Sequence, residues 1–310
     1  MARPSRIPKE FQEQNAIKMW LMVIHRVGMF FACLTASCLL VASDFPLGYV
    51  APLFLITTAL GSVALHNIGL LGHEGMHFTL AKDRYQSGLL GTLLSTMVPL
   101  HFNVGFALTH ALHHWHTNTE NDPDLAIFSN FRNLVSRFFL ARSKASRAYL
   151  KDTVLLAAGK MPHRNQVGLP DESLKKLARW NLAGSVMFLV AYGVGIALSP
   201  GVFAVSFLSI YLLAVGVSGL RPYMEHAGTD TGQFSNSRSF ANGLLTYVFG
   251  TINLHLAHHL HPQVPAYNLP RLYDWLKEQG HIPEAEAIEQ TSTLGLMLDI
   301  SQKPYGKSSS

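Results

Sequence analysis

Residues 48–77 read GYVAPLFLITTALGSVALHNIGLLGHEGMH, and this stretch decides how the rest of the chain is arranged. From Gly48 to Leu71 the run is apolar for longer than the roughly 20 residues that cross a bilayer. At about 1.5 Å per residue its last turns project beyond the hydrocarbon. His66, Asn67 and His73 lie on that projecting part. His73 and His77 are four residues apart, so in a helix both rings share one face and can meet one metal ion or two adjacent ones.

Outward from this segment the composition has the same character. Charged residues make up 14% of the chain, against roughly 25% in soluble domains, and together with long apolar runs of helical length this predicts an all-α integral membrane protein. Three further apolar runs complete the set. Val27 to Ala42 is short, but Lys18 and Arg26 can snorkel to one interface and Asp44 marks the other. Leu182 to Leu198 and Val202 to Leu220 form a second hairpin around Ser199, Pro200 and Gly201. The expected spans are therefore 27–42, 48–71, 182–198 and 202–220, four transmembrane helices in two hairpins within one domain.

Charge predicts their orientation. Arg3, Arg6, Lys9 and Lys18 precede the first span, and eleven Lys or Arg residues lie between 131 and 180, whereas the turns Ser43 to Gly48 and Ser199 to Gly201 contain none. The positive-inside rule then puts both termini and the central segment in the cytoplasm, at the cytoplasmic membrane if the source is bacterial. The net charge of +5 reads as topology with some attraction to anionic lipid headgroups, and argues against a nucleic-acid partner.

Two weaker runs are expected to lie in the interface. If 87–106 crossed, the histidines before it and after it would sit on opposite membrane faces, and Pro99, His101 and Asn103 interrupt it. The run 241–254 is too short and too punctuated to span, and reads as an amphipathic helix. From about 283 to 310 the chain reads as a polar helix with a mobile end, finishing in Ser308 to Ser310. Nothing there resembles an electron-transfer domain. No cleavage pattern follows the first apolar run, so that span is expected to be retained. Cys33 and Cys38 fall inside it and read as packing residues.

The histidines recur in clusters: His73 and His77; His110, His113 and His114; His255, His258 and His259. Spacings of three and four turn each cluster to one side of a helix, and eight imidazoles exceed what one tetrahedral ion can use, so two metal ions fit the count better. A metal-free polar cluster is the alternative, but so many rings would repel one another on protonation. Around the clusters stand Glu74, then Asn121-Asp122-Pro123-Asp124, then His261-Pro262, with Glu225-His226 before the third.

In order and spacing these motifs resemble the three histidine boxes of the membrane fatty acid desaturase family, including the extra histidine before the third box. The likeness runs from about His66 to Leu272. It implies a four-helix membrane stem with a cytoplasmic helical cap holding two iron ions on His73, His77, His110, His113, His114, His226, His255, His258 and His259. His261 departs from the family pattern, where an aromatic or aliphatic residue often precedes the proline. The implied activity is oxygen-dependent desaturation of a lipid acyl chain. Two electrons would come from NAD(P)H through a separate ferredoxin, rubredoxin or small haem protein, for which the basic central segment is a docking surface.

Ligating imidazoles usually donate their second N–H to a carboxylate or carbonyl, which makes Glu74, Asp122, Asp124 and Glu225 candidates to orient the rings. Each also has a plain reading, as a solvated helix-end residue or, for Asp122-Pro123, a turn pair. His25, His163 and His281 read as surface residues, while hydrogen-bonding roles near the substrate path stay open for His66, His101, His116 and His261. The boxes specify the oxidant and not the fate of the substrate radical, so hydroxylation, ketolation or oxidative decarboxylation of a lipid is the alternative. A metal transporter is disfavoured because the spans lack ionisable residues along a mid-membrane path.

Overall fold

The computed structural model describes residues 6–240 and 243–306. Arg3, Ala241 and Ser308 to Ser310, each part of an expectation above, lie outside the described residues. In chain order the helices that build the site are α1 (Ala16–Val41), α2 (Leu47–Met76), α3 (Arg84–Ser95), α4 (Asn103–His116), α5 (Pro123–Phe128), α6 (Arg142–Ala157), α7 (Asp171–Leu198), α8 (Phe203–His226), α9 (His255–Leu260), α10 (Leu269–Glu278) and α11 (Thr293–Gln302). A two-residue parallel ladder joins β1 (Arg238–Ser239) to β2 (Ile288–Glu289).

Helices α1, α2, α7 and α8 are each long and apolar enough to cross a membrane. Their outward sides carry exposed Leu39, Leu53, Ile56, Val186, Val190 and Leu212. Such surface costs little in a bilayer and would be a liability in water. All four helices outrun their apolar runs, α2 by reaching Met76. α1 begins at Ala16, where the Asn15 side chain accepts from the Lys18 amide at 3.0 Å. α7 begins at Asp171, and α8 continues to His226. Backbone hydrogen bonding does not stop where hydrocarbon ends, so apolar run length understates the helix. The overhanging turns of α2 and α8 carry chemistry into the cap.

Backbone contacts fix the layers beneath the site. The run 87–106 is divided into α3 and α4 by turns around Pro99, with Leu100 at φ 57°. A Cβ on Gly91 would come within 2.7 Å of the Gly75 Cα, and one on Gly75 within 2.7 Å of the Gly91 Cα. α3 therefore lies directly on the turn of α2 that carries His73 and His77. Gly105 brings α4 equally close to α6, where an added Cβ would stand 2.0 Å from the Tyr149 carbonyl oxygen.

Two expectations need correction. The segment 241–254 is not one amphipathic helix: among the described residues only Gly243–Val248 is helical. Gly250 at φ 57° and Thr251 at φ 73° end it and turn the chain into α9. Nor do the described residues beyond 283 form a loose tail. Leu296 and Ile300, four residues apart on α11, are buried along with Tyr305. Gly306 N–H donates to the His226 carbonyl at 2.9 Å, and Gly228 N–H to that of Pro304 at 2.8 Å. Arg137 donates to the Ile300 and Lys303 carbonyls while lying over the Tyr223 ring. Two apolar side chains at helical spacing and one buried arginine dock this segment beside the site.

Candidate metal centre

Each histidine reaches the centre from a local structure that its sequence explains. His73 sits in the last turn of α2 and His77 is its C-cap. His110, His113 and His114 end α4, His226 ends α8, and His255, His258 and His259 occupy the six residues of α9. These converge in two groups, His73, His77, His110, His114 and His258 in one and His113, His226, His255 and His259 in the other. Within each group one nitrogen per ring lies within 4.8 Å of all the others. His113 and His114 point into different groups, as do His258 and His259. α4 and α9 therefore serve both, and the His114 and His259 rings stand only 4.5 Å apart between centroids.

The nitrogen spacing fits metal ligation. Nε2 of His73 lies 3.1 Å from that of His258, and Nε2 of His110 3.0 Å from that of His114. In the second group, Nε2 of His255 lies 3.0 Å from that of His226 and 3.1 Å from that of His259. Two nitrogens bound at right angles at a typical distance of about 2.1 Å would be about 3.0 Å apart. Nδ1 of His73, His114, His255 and His258 is buried without a hydrogen-bond partner, as is Nε2 of His77. A cation would satisfy the inward-facing Nε2 lone pairs that otherwise crowd one another in a dry interior, whereas the outward Nδ1 atoms need other partners.

The four candidate acids all lie beside rings of the two groups. Nδ1–H of His113 donates to both oxygens of Asp122 at 3.0 Å, and Asp124 lies 3.9 Å from the same nitrogen. Glu74 approaches Nδ1 of His73 at 3.4 Å and accepts from the Thr79 hydroxyl and the Ala266 amide, both at 2.8 Å. Glu225 lies 3.5 Å from Nδ1 of His255 and accepts from Arg221 Nε at 2.8 Å. His226 donates from Nδ1 to the Asn236 carbonyl at 3.0 Å, which leaves its Nε2 facing the second group. A donor held at Nδ1 fixes the tautomer and raises the basicity of the nitrogen that ligates.

Electrostatics favour neutral ligands. Burial, reinforced by neighbouring rings, holds His110, His114, His255, His258 and His259 well below the usual histidine range, and burial alone brings His77 to about 4. His113 is the exception. Burial works against its protonation, but the charge and hydrogen bond of Asp122, with help from Asp124, push it up to about 9. Burial pushes Asp124 up to about 7. A metal bound here would have to displace a proton from His113, while most of its companions are already free.

Sequence reasoning missed several supports. Asn118 sits at φ 62°, a conformation asparagine tolerates. Its amide donates to Asp122 at 2.8 Å, and its side chain donates to Thr229, Asp230 and Asn236. It thereby pins the Asp122 loop to the chain after α8. Thr117 donates to the His113 carbonyl at 2.7 Å and contacts Nδ1 of His259 at 3.4 Å. The Asn118–Asp122 spacing beside Pro123 was a usable signal of a local turn. Nothing local marks its partners, which lie more than 100 residues away.

The other histidines divide. His66 contacts Ser218 Oγ through Nδ1 at 2.9 Å, and His101 Nδ1 accepts from Arg142 at 2.7 Å. Both line a cavity of about 370 Å³ that also touches His73, His110, His113, His226 and His255. The cavity follows α8 as far as Tyr211, about 22 Å along the helix from His226. His261 is buried and His116 half-buried, and both stand outside the two metal groups. His25 is exposed on α1, and His163 pairs with Asp152 at 2.8 Å. His281 lies against the Trp275 ring, away from the centre.

Against known families, the model described as fatty acid desaturase matches residues 47–285, which hold all nine converging histidines. No curated protein matches the chain.

Proposed function

The chain belongs to the fatty acid desaturase family, and from that premise we propose that it is a membrane oxidoreductase inserting a double bond into a lipid acyl chain. The observation that carries the proposal is the meeting of nine imidazoles in two adjacent groups beside a cavity that extends along a spanning helix. His73, His77, His110, His114 and His258 would hold one iron, and His113, His226, His255 and His259 a second. Iron with dioxygen supplies an oxidant strong enough for an unactivated C–H bond, which no side chain provides.

The protein's own part is to bind, orient and exclude water. Asp122 and the Asn236 carbonyl keep Nδ1 of His113 and His226 engaged, so that Nε2 faces inward. Phe106, Phe128 and Leu70 line the space next to the rings and suit methylene groups. Two hydrogens leave neighbouring carbons. Dioxygen takes four electrons, two from those C–H bonds and two from an external donor, and leaves as two waters. NAD(P)H is the ultimate source through a separate carrier, which the cationic central segment would receive on the cytoplasmic face together with both termini.

The test is a reconstitution of purified protein with iron, a lipid extract, oxygen and a reducing system. A new carbon–carbon double bond in the acyl product supports the proposal. Oxygen from dioxygen retained in the organic product would instead make this chain a hydroxylase or ketolase, and a shortened terminal alkene would make it a decarboxylase.

A further inference from the structure

Arg142 is an arginine without an acid. It is half-buried at the start of α6 and lines the same cavity as the histidine rings. Its hydrogen bond goes to Nδ1 of His101 at 2.7 Å, and among the described residues no carboxylate lies within 4.0 Å of it. Its cationic neighbour Arg221 is different, because Glu225 pairs with it at 2.8 Å. A guanidinium facing a cavity with no counter-charge is costly unless something anionic joins it. Its planar fork also matches an oxyanion through two parallel N–H donors. The bond to His101 orients that fork. His101 in turn packs where a Gly69 Cβ would stand, 3.3 Å from its ring, and Gly69 precedes His73 by one helical turn. The arginine is therefore a neighbour of the metal centre.

The cavity mouth points to the source of the anion. Leu100, Ser143, Arg147 and Leu150 line the cavity and are exposed. They adjoin a row of exposed apolar side chains on the same segment, Val135, Phe139, Leu140 and Val154, interleaved with Arg132, Lys144 and Lys151. A helical stretch with large apolar groups on one side and cations beside them lies in the headgroup layer. The mouth would then open sideways to the leaflet. At about 370 Å³ the cavity is near the lower end of ligand-site volumes and suits one chain better than two.

We propose that this cavity takes a single-chain lipid with an anionic oxygen head, a carboxylate or a phosphate monoester, and that Arg142 holds the head while Arg147 meets it at the mouth. The inference rests on reading the cavity as the substrate site. It goes further by assigning the class of head.

The experiment uses the full chain in phosphatidylcholine nanodiscs at pH 8, metal-loaded and metal-depleted, with radiolabelled palmitate, methyl palmitate and palmitoyl lysophosphatidate as probes. At least one anionic probe should bind about tenfold or more tighter than the ester. Arg142→Gln should abolish that preference and Arg142→Lys should keep part of it. A lead for palmitate makes the head a carboxylate, and a lead for lysophosphatidate makes it a phosphate. Equal affinity for ester and anions in the unmodified protein overturns the proposal without relying on any variant, as does an Arg142→Gln protein that folds and keeps the preference. Binding is read without turnover, so anion-selective protein that oxidises nothing would overturn the redox reading and leave this subsite standing. Oxidation of ester and acid with equal affinity would do the reverse.

Discussion

Asp122 shows how one carboxylate can hold an imidazole ring in place. Both its oxygens face Nδ1–H of His113, and the Asn118 and Asp124 amides hold it in place. Asp122→Asn keeps the shape and removes the charge, so iron affinity or turnover should fall about 10- to 100-fold with helix content unchanged. Unaltered iron retention by elemental analysis would refute a role in orienting the ring. Acid should destabilise the metal-depleted protein. Buried rings such as His77 and His261, both near 4, are held below the value of about 6.5 they regain on unfolding. The unfolded chain then binds protons first, and stability drops as pH falls from about 6.5 towards 4. His113, raised to about 9, adds stability below 6.5 that is lost as pH climbs through 9, and Asp124, raised to about 7, gains stability on acidification. Each is one group against several rings. A thermal midpoint that rises from pH 6.5 to 5 would contradict this balance. The converging rings were readable because helical spacing of three and four is a local signal. Arg142 was not, since among eleven basic residues between 131 and 180 only the fold tells that this one faces the cavity beside His101.

At the level of elements, the two histidine groups depend on how closely α4 lies on α6. Gly105→Ala would drive a methyl into the Tyr149 carbonyl, so α4 must move away and carry His110, His113 and His114 with it. Overpacking of this kind costs about 1–3 kcal/mol. Gly28→Ala on α1 meets nothing within 4 Å and should be neutral or slightly stabilising. Thermal unfolding in detergent with iron content compares the two, and equal behaviour would mean that the α4–α6 contact does not position the site. The spanning helices were legible because long apolar runs paired across tight uncharged turns have few other uses. Their polar ends were not, since helix length there follows backbone bonding and caps such as Asn15. The 241–254 run misled because apolar residues set no limit on turns, and Gly250 with Thr251 broke it. The docking of α11 was hidden in a short segment where Leu296 and Ile300 are a sparse signal. Their partners, Tyr223 and Met224 among them, lie some 70 residues away.

Across the whole molecule, two hairpins support a cap in which segments from His73 to His259 meet, and the cavity runs from those rings along α8. The orientation inferred from charge is testable with single cysteines in a Cys33→Ala, Cys38→Ala background. Gly201→Cys should react with a membrane-impermeant maleimide in intact cells, and Lys144→Cys only after lysis. The opposite labelling would invert the topology and remove the cytoplasmic route for electrons. The convergence of distant histidines was foreseeable only as far as motif order and membrane parity reach, because pairing His113 with His226 and His255 is a property of three dimensions. The most direct measurement is iron per chain in protein purified without oxygen, compared with His113→Ala and His258→Ala, one substitution in each group. The account predicts about two irons in the unmodified protein and a clear loss in each variant, whereas iron absent after reconstitution, or unchanged by both substitutions, would contradict it.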